Sequence, residues 1–145
     1  MKDIRDQQLY KTVVIGDKTY MAENLNYKTL SSFCYDDDFA KCKQTGRLYT
    51  WASAIQACPT GWRLPTIDEI TRDFPKFSRN TFQNGGFRML NGNYSSFGKK
   101  NAYWSSDFKK NYTDYAYYGL QDGSDWETKA FYKDQANSVR CVKED

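Results

Sequence analysis

The chain contains four cysteines and no histidine; the cysteines are Cys34, Cys42, Cys58 and Cys141. They lack the close C-x-x-C pairing of a zinc site. An even number of cysteines favours two disulfides and an oxidising compartment. Four cysteines allow three connectivities. We favour Cys34–Cys42, which closes a local loop, with Cys58–Cys141, which ties the middle of the chain to its C-terminus. The alternative is four reduced cysteines in a cytosolic protein.

No set of residues has the spacing of a catalytic site. Without histidine, a serine or cysteine nucleophile lacks its usual base, although lysine or a carboxylate could replace it. The 18 acidic residues contain no pair whose spacing marks a glycosidase. Gly85-Gly86 is followed by Phe87-Arg88, not by the Lys-Ser or Lys-Thr of a phosphate-binding loop. We therefore predict a protein without enzyme activity and without a cofactor.

The acidic run Asp36-Asp37-Asp38 could be a set of calcium ligands, because carboxylate oxygens are the ligands that calcium prefers. The run lacks the Asp-x-Asp-x-Asp-Gly spacing of a calcium loop. A solvated loop is the better interpretation, and no metal ligand is predicted.

The segment 112–126 is unusually rich in aromatic residues that alternate with polar ones. On a strand, Tyr115 and Tyr117 share one face and Tyr118 lies on the other, so one set can fill the core while the other faces outward. Exposed rings beside carboxylates and amides suit either a sugar or a protein partner. A solvated strand edge of ordinary tyrosine content is the alternative. The predicted ligand contacts are Tyr94, Tyr118, Gln121, Asp122, Asp125 and Trp126.

Composition excludes two classes of partner. The net charge is +3, from 21 basic and 18 acidic residues that are scattered, which is not typical of a nucleic-acid-binding protein. No stretch approaches the ~18 apolar residues of a membrane-spanning helix. Residues Met1–Lys11 are polar and contain no apolar signal region, so we expect that an exported protein has lost its signal peptide. A length of 145 residues suits one domain, with a core built from aromatic rings.

The first half of the chain predicts a hairpin, two helices and a long loop. Leu9–Ile15 and Lys18–Ala22 are β-rich and flank Gly16-Asp17, a tight-turn pair. The first helix is predicted at Leu48–Ala57. The second begins at Ile67 and ends at Asp73 or Phe74, with Thr66 and Glu69 as a capping box. Gly, Asn and Ser then make residues 76–100 one long irregular region, and such loops are often functional.

Four strands are predicted in the second half, where aromatic and β-branched residues alternate with polar turns. They are Ala102–Ser105, Tyr115–Leu120, Thr128–Tyr132 and Ser138–Val142. Together with the hairpin and helices they predict an α+β fold with a mostly antiparallel sheet.

Several motifs resemble one family over nearly the whole chain. They are Met21–Tyr27 (MAENLNY), Gly46–Trp51 (GRLYTW), Ala57–Thr66 (ACPTGWRLPT), Tyr103–Ser106 (YWSS) and Ser138–Val142 (SVRCV). Together they resemble the Fibrobacter succinogenes major paralogous domain. The stretch Trp51–Glu69 also resembles the start of C-type-lectin-like domains, in which a cysteine after a helix pairs with one in the last strand. The resemblance implies a single C-type-lectin-like domain over residues 1–145, with a Cys58–Cys141 disulfide.

The same resemblance implies a fold rather than an activity. The run Trp62–Thr66 is similar to formylglycine-generating enzymes, which use a reactive cysteine pair near the C-terminus, but this chain has only Cys141 there. The Glu-Pro-Asn or Gln-Pro-Asp motif of calcium-dependent lectins is absent. We expect a secreted or surface-displayed module for adhesion, which binds a polysaccharide or a surface protein without calcium. The alternative is a structural assembly module of the cell envelope.

Overall fold

The computed structural model describes all residues, Met1–Asp145, and begins with the predicted hairpin. Strand β1 (Thr12–Ile15) pairs antiparallel with strand β2 (Lys18–Met21) around Gly16-Asp17. Gly16 has a φ of +62°, which glycine adopts without the steric clash of a Cβ atom. The first strand begins three residues later than the predicted Leu9–Ile15, and the second ends one residue before the end of the predicted Lys18–Ala22.

Strand β2 continues into a sheet that joins the two ends of the chain. In the order β1-β2-β11-β5, Val142 of strand β11 (Val142–Lys143) pairs with Tyr20 and with Arg63 of strand β5 (Trp62–Arg63). The predicted strand Ser138–Val142 is therefore wrong for most of its length. Ser138 forms only an isolated parallel bridge to Tyr103.

The chain forms three short helices. Helix α1 (Phe39–Thr45) was not predicted; it begins where the Asp38 carboxylate accepts a hydrogen bond from the Ala40 amide. Helix α2 (Trp51–Ala57) begins later than predicted, because Leu48–Tyr49 forms strand β4, which pairs with strand β3 (Ser32–Phe33). Helix α3 (Ile67–Asp73) has the predicted capping box. None of the helices is long and apolar enough to cross a membrane.

Long antiparallel strands form the main sheet, in the order β10-β9-β8. They are β8 (Lys100–Phe108), β9 (Tyr115–Asp122) and β10 (Asp125–Tyr132). Within the long loop, only β6 (Phe87–Arg88) and β7 (Tyr94–Ser95) pair, beside two 3₁₀ turns. The predicted mixture of helices with mostly antiparallel strands is confirmed.

The core lies on both faces of the main sheet, because successive residues of a strand point to opposite sides. Trp104 and Tyr118 belong to one cluster, with Met21, Leu25 and Tyr49. Tyr103 belongs to a second cluster, whose other large members come from β2 and the region of α3: Tyr20, Ile70, Phe74, Phe77 and Phe82. The prediction of an aromatic core is confirmed.

Both favoured disulfides are present. Cys34 and Cys42 are joined across the start of α1, with their Cα atoms 5.0 Å apart. Cys58 follows α2 and joins Cys141, just before β11, with a Cα–Cα distance of 5.9 Å. The second bridge spans 83 residues, so it removes far more conformational freedom from the unfolded chain than the first.

Candidate ligand-binding surface

Two of the six predicted contact residues lie on opposite sides of the main sheet. The Tyr118 side chain is only 9% exposed and packs edge-on against Trp104, with ring centroids 5.6 Å apart. Trp126 is half-buried and packs in the other cluster, 5.4 Å from the Phe82 ring. One ligand on one face of the sheet cannot contact both rings.

The polar members of the predicted set surround the β9–β10 turn. Gln121 is buried, and its amide accepts a hydrogen bond from Asn101 Nδ2 at 2.6 Å and donates one to the Gly123 carbonyl at 3.1 Å. Asp122 and Asp125 are exposed and flank the two-residue turn. Asp122 forms an exposed ion pair with Lys100 at 3.8 Å, so of these three side chains only Asp125 is both exposed and unpaired.

Tyr94 is separate from both of these groups and lies on strand β7. Its ring packs on Tyr35 with centroids 5.1 Å apart, and its hydroxyl donates a hydrogen bond to Asp37 at 2.9 Å. The prediction that these six residues form one contact patch therefore needs correction. Strand alternation separates Tyr118 from Trp126, and Tyr94 belongs to a different sheet.

The rings that do face solvent together lie at the opposite end of the β9–β10 ladder. We call Tyr112, Tyr115, Phe131 and Tyr132 the aromatic surface. Tyr115 is the central ring: its centroid is 4.7 Å from that of Tyr132, 5.9 Å from that of Tyr112 and 6.3 Å from that of Phe131. Tyr112 is the outermost ring, with 62% of its area exposed.

Strand register positions this surface. Tyr115 and Tyr132 are directly opposite each other in the β9–β10 ladder, where cross-strand side chains are in contact. Tyr112 lies in the turn before β9, which is closed by hydrogen bonds from the Tyr112 amide to the Lys109 carbonyl and from the Tyr115 amide to the Tyr112 carbonyl. Backbone pairing and a hydrogen-bonded turn therefore set the position of these rings.

Concave spaces lie at both ends of the aromatic surface. One, of about 300 Å³, is lined by Phe108, Lys109, Lys110, Asn111, Tyr112 and Tyr117. The other, of about 400 Å³, is lined by Phe87, Met89, Leu90, Asn91, Phe131 and Gln135. Small-molecule sites usually have volumes of this order, with a few polar groups among apolar ones. Phe131 lines the second cavity and pairs with Ala116, so it points to the face of the sheet opposite Tyr115 and Tyr132, although its ring centroid is 6.3 Å from that of Tyr115.

The phenol hydroxyls of this surface can both donate and accept hydrogen bonds. The hydrogen bond with the Tyr132 hydroxyl raises the pKa of Tyr115 above its ordinary value. A cation lies beside the outer ring, since Lys109 Nζ is 5.4 Å from the Tyr112 centroid. The surface therefore offers ring faces, phenol hydroxyls and ammonium donors to a ligand.

The groups with shifted pKa values lie mostly elsewhere, among buried tyrosines such as Tyr10 and Tyr49 and in structural ion pairs. Burial opposes ionisation of Asp73, but hydrogen bonds from Arg72 and Tyr20 outweigh it and lower the pKa.

Each carboxylate of the acidic run has a partner within the protein. Asp36 pairs with Lys41 at 2.7 Å, Asp37 accepts a hydrogen bond from the Tyr94 hydroxyl, and Asp38 caps α1. No group of three or more His, Cys, Asp or Glu residues is arranged to hold a metal ion.

Sequence reasoning missed Phe131 and Tyr132, and did not place Tyr112 and Tyr115 in the site. The sequence does contain a signal for Tyr115 and Tyr132. A two-residue turn at Gly123-Ser124 fixes the register of the two strands, and counting outward from it places these two tyrosines opposite each other. The lining of the second cavity has no comparable signal, since it depends on how the long loop folds onto β10.

Comparisons with known proteins give no assignment. No protein-family model matches the chain, no curated protein matches it, and no solved structure matches it.

Proposed function

We propose that this chain is a non-catalytic binding module whose aromatic surface holds a carbohydrate chain without calcium. The observation that carries the proposal is the group of rings around the half-buried Tyr115, in which Tyr112 and Tyr132 are exposed and the β9–β10 register sets their position. Sugar rings present apolar C–H faces that stack on aromatic side chains, while their hydroxyls need polar partners. Lys109, Asn111 and the phenol hydroxyls supply those partners.

The proposed fold is C-type-lectin-like, as in the Fibrobacter succinogenes major paralogous domain that the sequence resembles. Support comes from the Cys58–Cys141 bridge, which joins the end of α2 to the last strand. The sheet that brings β2 and β11 together supports it too, because it closes the chain ends against each other. In a fold closed in this way, the binding residues can lie on loops and strand ends at the surface, because the core does not depend on them.

The proposed location is extracellular or at the cell surface. Disulfides form and persist in oxidising compartments, and all four cysteines are paired in this structure. A module in that location would meet polysaccharides and surface proteins, and the exposed rings suit either. We place carbohydrate first because amide side chains lie at both ends of the rings and two lysines lie at one end.

The test is direct binding of the purified, oxidised protein to a panel of cell-wall polysaccharides, with and without a chelator. Tyr112→Ala removes the outermost ring, and we expect it to weaken binding about tenfold or more, as loss of a stacking anchor does. Phe39→Ala is the matched control. Phe39 is likewise 62% exposed and has a lysine beside its ring, Lys43 at 5.1 Å, but it lies on α1.

Saturable binding that survives the chelator, is lost in Tyr112→Ala and is kept in Phe39→Ala supports the proposal. Equal loss in both variants, or binding that needs calcium, contradicts the assigned surface. No binding to any polymer contradicts the carbohydrate assignment and favours a protein partner.

A further inference from the structure

Strand β10 is a long exposed edge. It pairs with β9 on one side, and no strand pairs with it on the other. Of its eight residues, only Trp126 and Ala130 are half-buried, and the others are exposed. An edge of this length presents unpaired N–H and C=O groups that another strand can bond.

The hydrogen bonds of β8, the strand on the other side of β9, show which backbone groups of β10 are unpaired. The Ser138 amide donates to the Ala102 carbonyl at 2.8 Å, and the Trp104 amide donates to the Ser138 carbonyl at 3.2 Å. The backbone groups of Ala102 and Trp104 thus point away from β9. Because bonding direction alternates along a strand, Asn101 and Tyr103 are the residues that bond to β9.

The alternation of bonding direction in β9 determines which residues of β10 face the open edge. The β9 partners of Asn101 and Tyr103 are Gln121 and Gly119, whose backbone groups are used by β8. The residues opposite them in β10, Trp126 and Thr128, therefore turn their N–H and C=O groups to the open edge. Two residues further on, Ala130 does the same.

The side chains of this edge are self-complementary in charge. Glu127 and Lys129 lie on one face of β10, on either side of Thr128, and both are exposed. Within the chain they form an ion pair with an Nζ–Oε2 distance of 3.0 Å. A strand that reads Glu-Thr-Lys matches its own reverse, with Glu opposite Lys at both positions.

We propose that two copies of this chain pair through antiparallel β10 strands, with the two-fold axis at Thr128. In this register Thr128 bonds to its own copy, and Trp126 bonds to Ala130 of the second copy. These are the residues whose backbone groups face the edge, so the hydrogen-bond pattern and the symmetry agree. Glu127 then lies opposite Lys129 of the second copy, twice, in the closely spaced non-hydrogen-bonded pairs.

Neighbouring registers are less favourable. The hydrogen-bond alternation allows the two-fold axis at any residue of β10, because residues of the same bonding direction then face each other. An axis at Glu127 or Lys129 places that charge opposite the same charge of the second copy, which is repulsive. An axis at Trp126 places Glu127 opposite Asp125 of the second copy, which is repulsive. An axis at Ala130 places Lys129 opposite Phe131. Charges on edge strands usually prevent pairing, but here they select one register.

The test is sedimentation equilibrium of the oxidised protein up to millimolar concentration, where we expect a reversible monomer–dimer equilibrium. Lys129→Glu and Glu127→Lys each create two like-charge contacts, and each is expected to weaken the dimer about tenfold or more. Mixing the two variants restores both attractive contacts, so the mixture should form a heterodimer as tight as the wild-type dimer. Lys99→Glu, at an exposed turn lysine, is the control for net charge.

A second variant tests the backbone bonds. Thr128→Pro removes an edge N–H that β9 does not use, so the monomer should keep its circular-dichroism spectrum and lose the dimer. A wild-type protein that stays monomeric overturns the proposal, as does a dimer that tolerates Thr128→Pro or does not recover on mixing. Tyr112→Ala should dimerise normally, which separates this inference from the proposed ligand binding.

Discussion

Arg63 of β5 and Glu69 of α3 form a bidentate ion pair. Arg63 Nη1 donates to Glu69 Oε1 at 2.7 Å, and Nη2 donates to Oε2 at 2.9 Å. The Thr66 amide also donates to Oε1, at 2.9 Å, so the carboxylate completes the helix cap as well. The hydrogen bonds from Arg63 are the main reason that the pKa of Glu69 falls to about 2, against the opposing effect of burial.

This pair should make stability depend on pH in a defined window. A lowered pKa means that the ionised form stabilises the fold, fully above the ordinary value of 4.5 and progressively less as pH falls towards 2. We expect Glu69→Gln, which keeps the cap acceptor but removes the charge, to lower the free energy of unfolding by about 1–2 kcal/mol at pH 7, since Arg63 is partly solvated. The difference should vanish near pH 2.

Urea unfolding of both proteins between pH 2 and pH 7 measures this difference. Asp68→Asn is the control, because Asp68 is an exposed carboxylate in the same helical turn. A constant gap across the whole pH range would contradict a charge effect and indicate lost packing.

The two disulfides should differ in their contribution to stability. Their sequence separations are 83 and 8 residues, so the loop-closure relation gives about 4.5 kcal/mol for Cys58–Cys141 and about 2.5 kcal/mol for Cys34–Cys42. We expect Cys58→Ser with Cys141→Ser to lower the melting temperature clearly more than Cys34→Ser with Cys42→Ser. Equal losses, measured by calorimetry, would contradict an effect on the unfolded chain.

Gly86 should not tolerate a side chain. It has a φ of +64°, and a Cβ there would collide with the Ser95 carbonyl oxygen and lie 2.8 Å from the Phe97 nitrogen. We expect Gly86→Ala to lower the free energy of unfolding by about 3 kcal/mol or more, from backbone strain and steric overlap together. Gly123→Ala has nearly the same φ, +63°, but open space around it, so it should lose only about 1–2 kcal/mol. Similar losses in denaturant titrations would show that overlap does not matter.

Local signals explain which elements the sequence predicts correctly. The α3 cap needs only Thr66 and Glu69, three residues apart, and the hairpin needs only Gly16 between two β-rich runs. Helix α1 was missed because its cap, Asp38, stands in an acidic run that indicates a loop. Its seven residues are too few to be helical without tertiary support, which the Cys34–Cys42 bridge and the packing of Thr45 provide.

The site was only partly predictable for a related reason. Alternation correctly separates Tyr118 from Tyr115 and Tyr117, but it does not say which face is covered. That depends on α3, which packs on one face at Gly119 and leaves the Tyr115 end open. Trp126 shares this face with Tyr115, yet it lies at the covered end and packs against Phe74 and Phe82.

Paired truncations distinguish the aromatic surface from the contact patch first predicted. Tyr118 is buried against Trp104, so Tyr118→Ala should lower the free energy of unfolding by about 3–4 kcal/mol by leaving a cavity. Tyr112 is exposed, so Tyr112→Ala should change it by less than about 0.5 kcal/mol. We expect polysaccharide binding to follow the reverse order when it is measured under conditions where both variants are folded. A Tyr118→Ala variant that stays stable but loses binding, while Tyr112→Ala binds normally, would place the ligand on the other face of the sheet. A ring can contribute to affinity without contributing to stability only if it is accessible in the folded state.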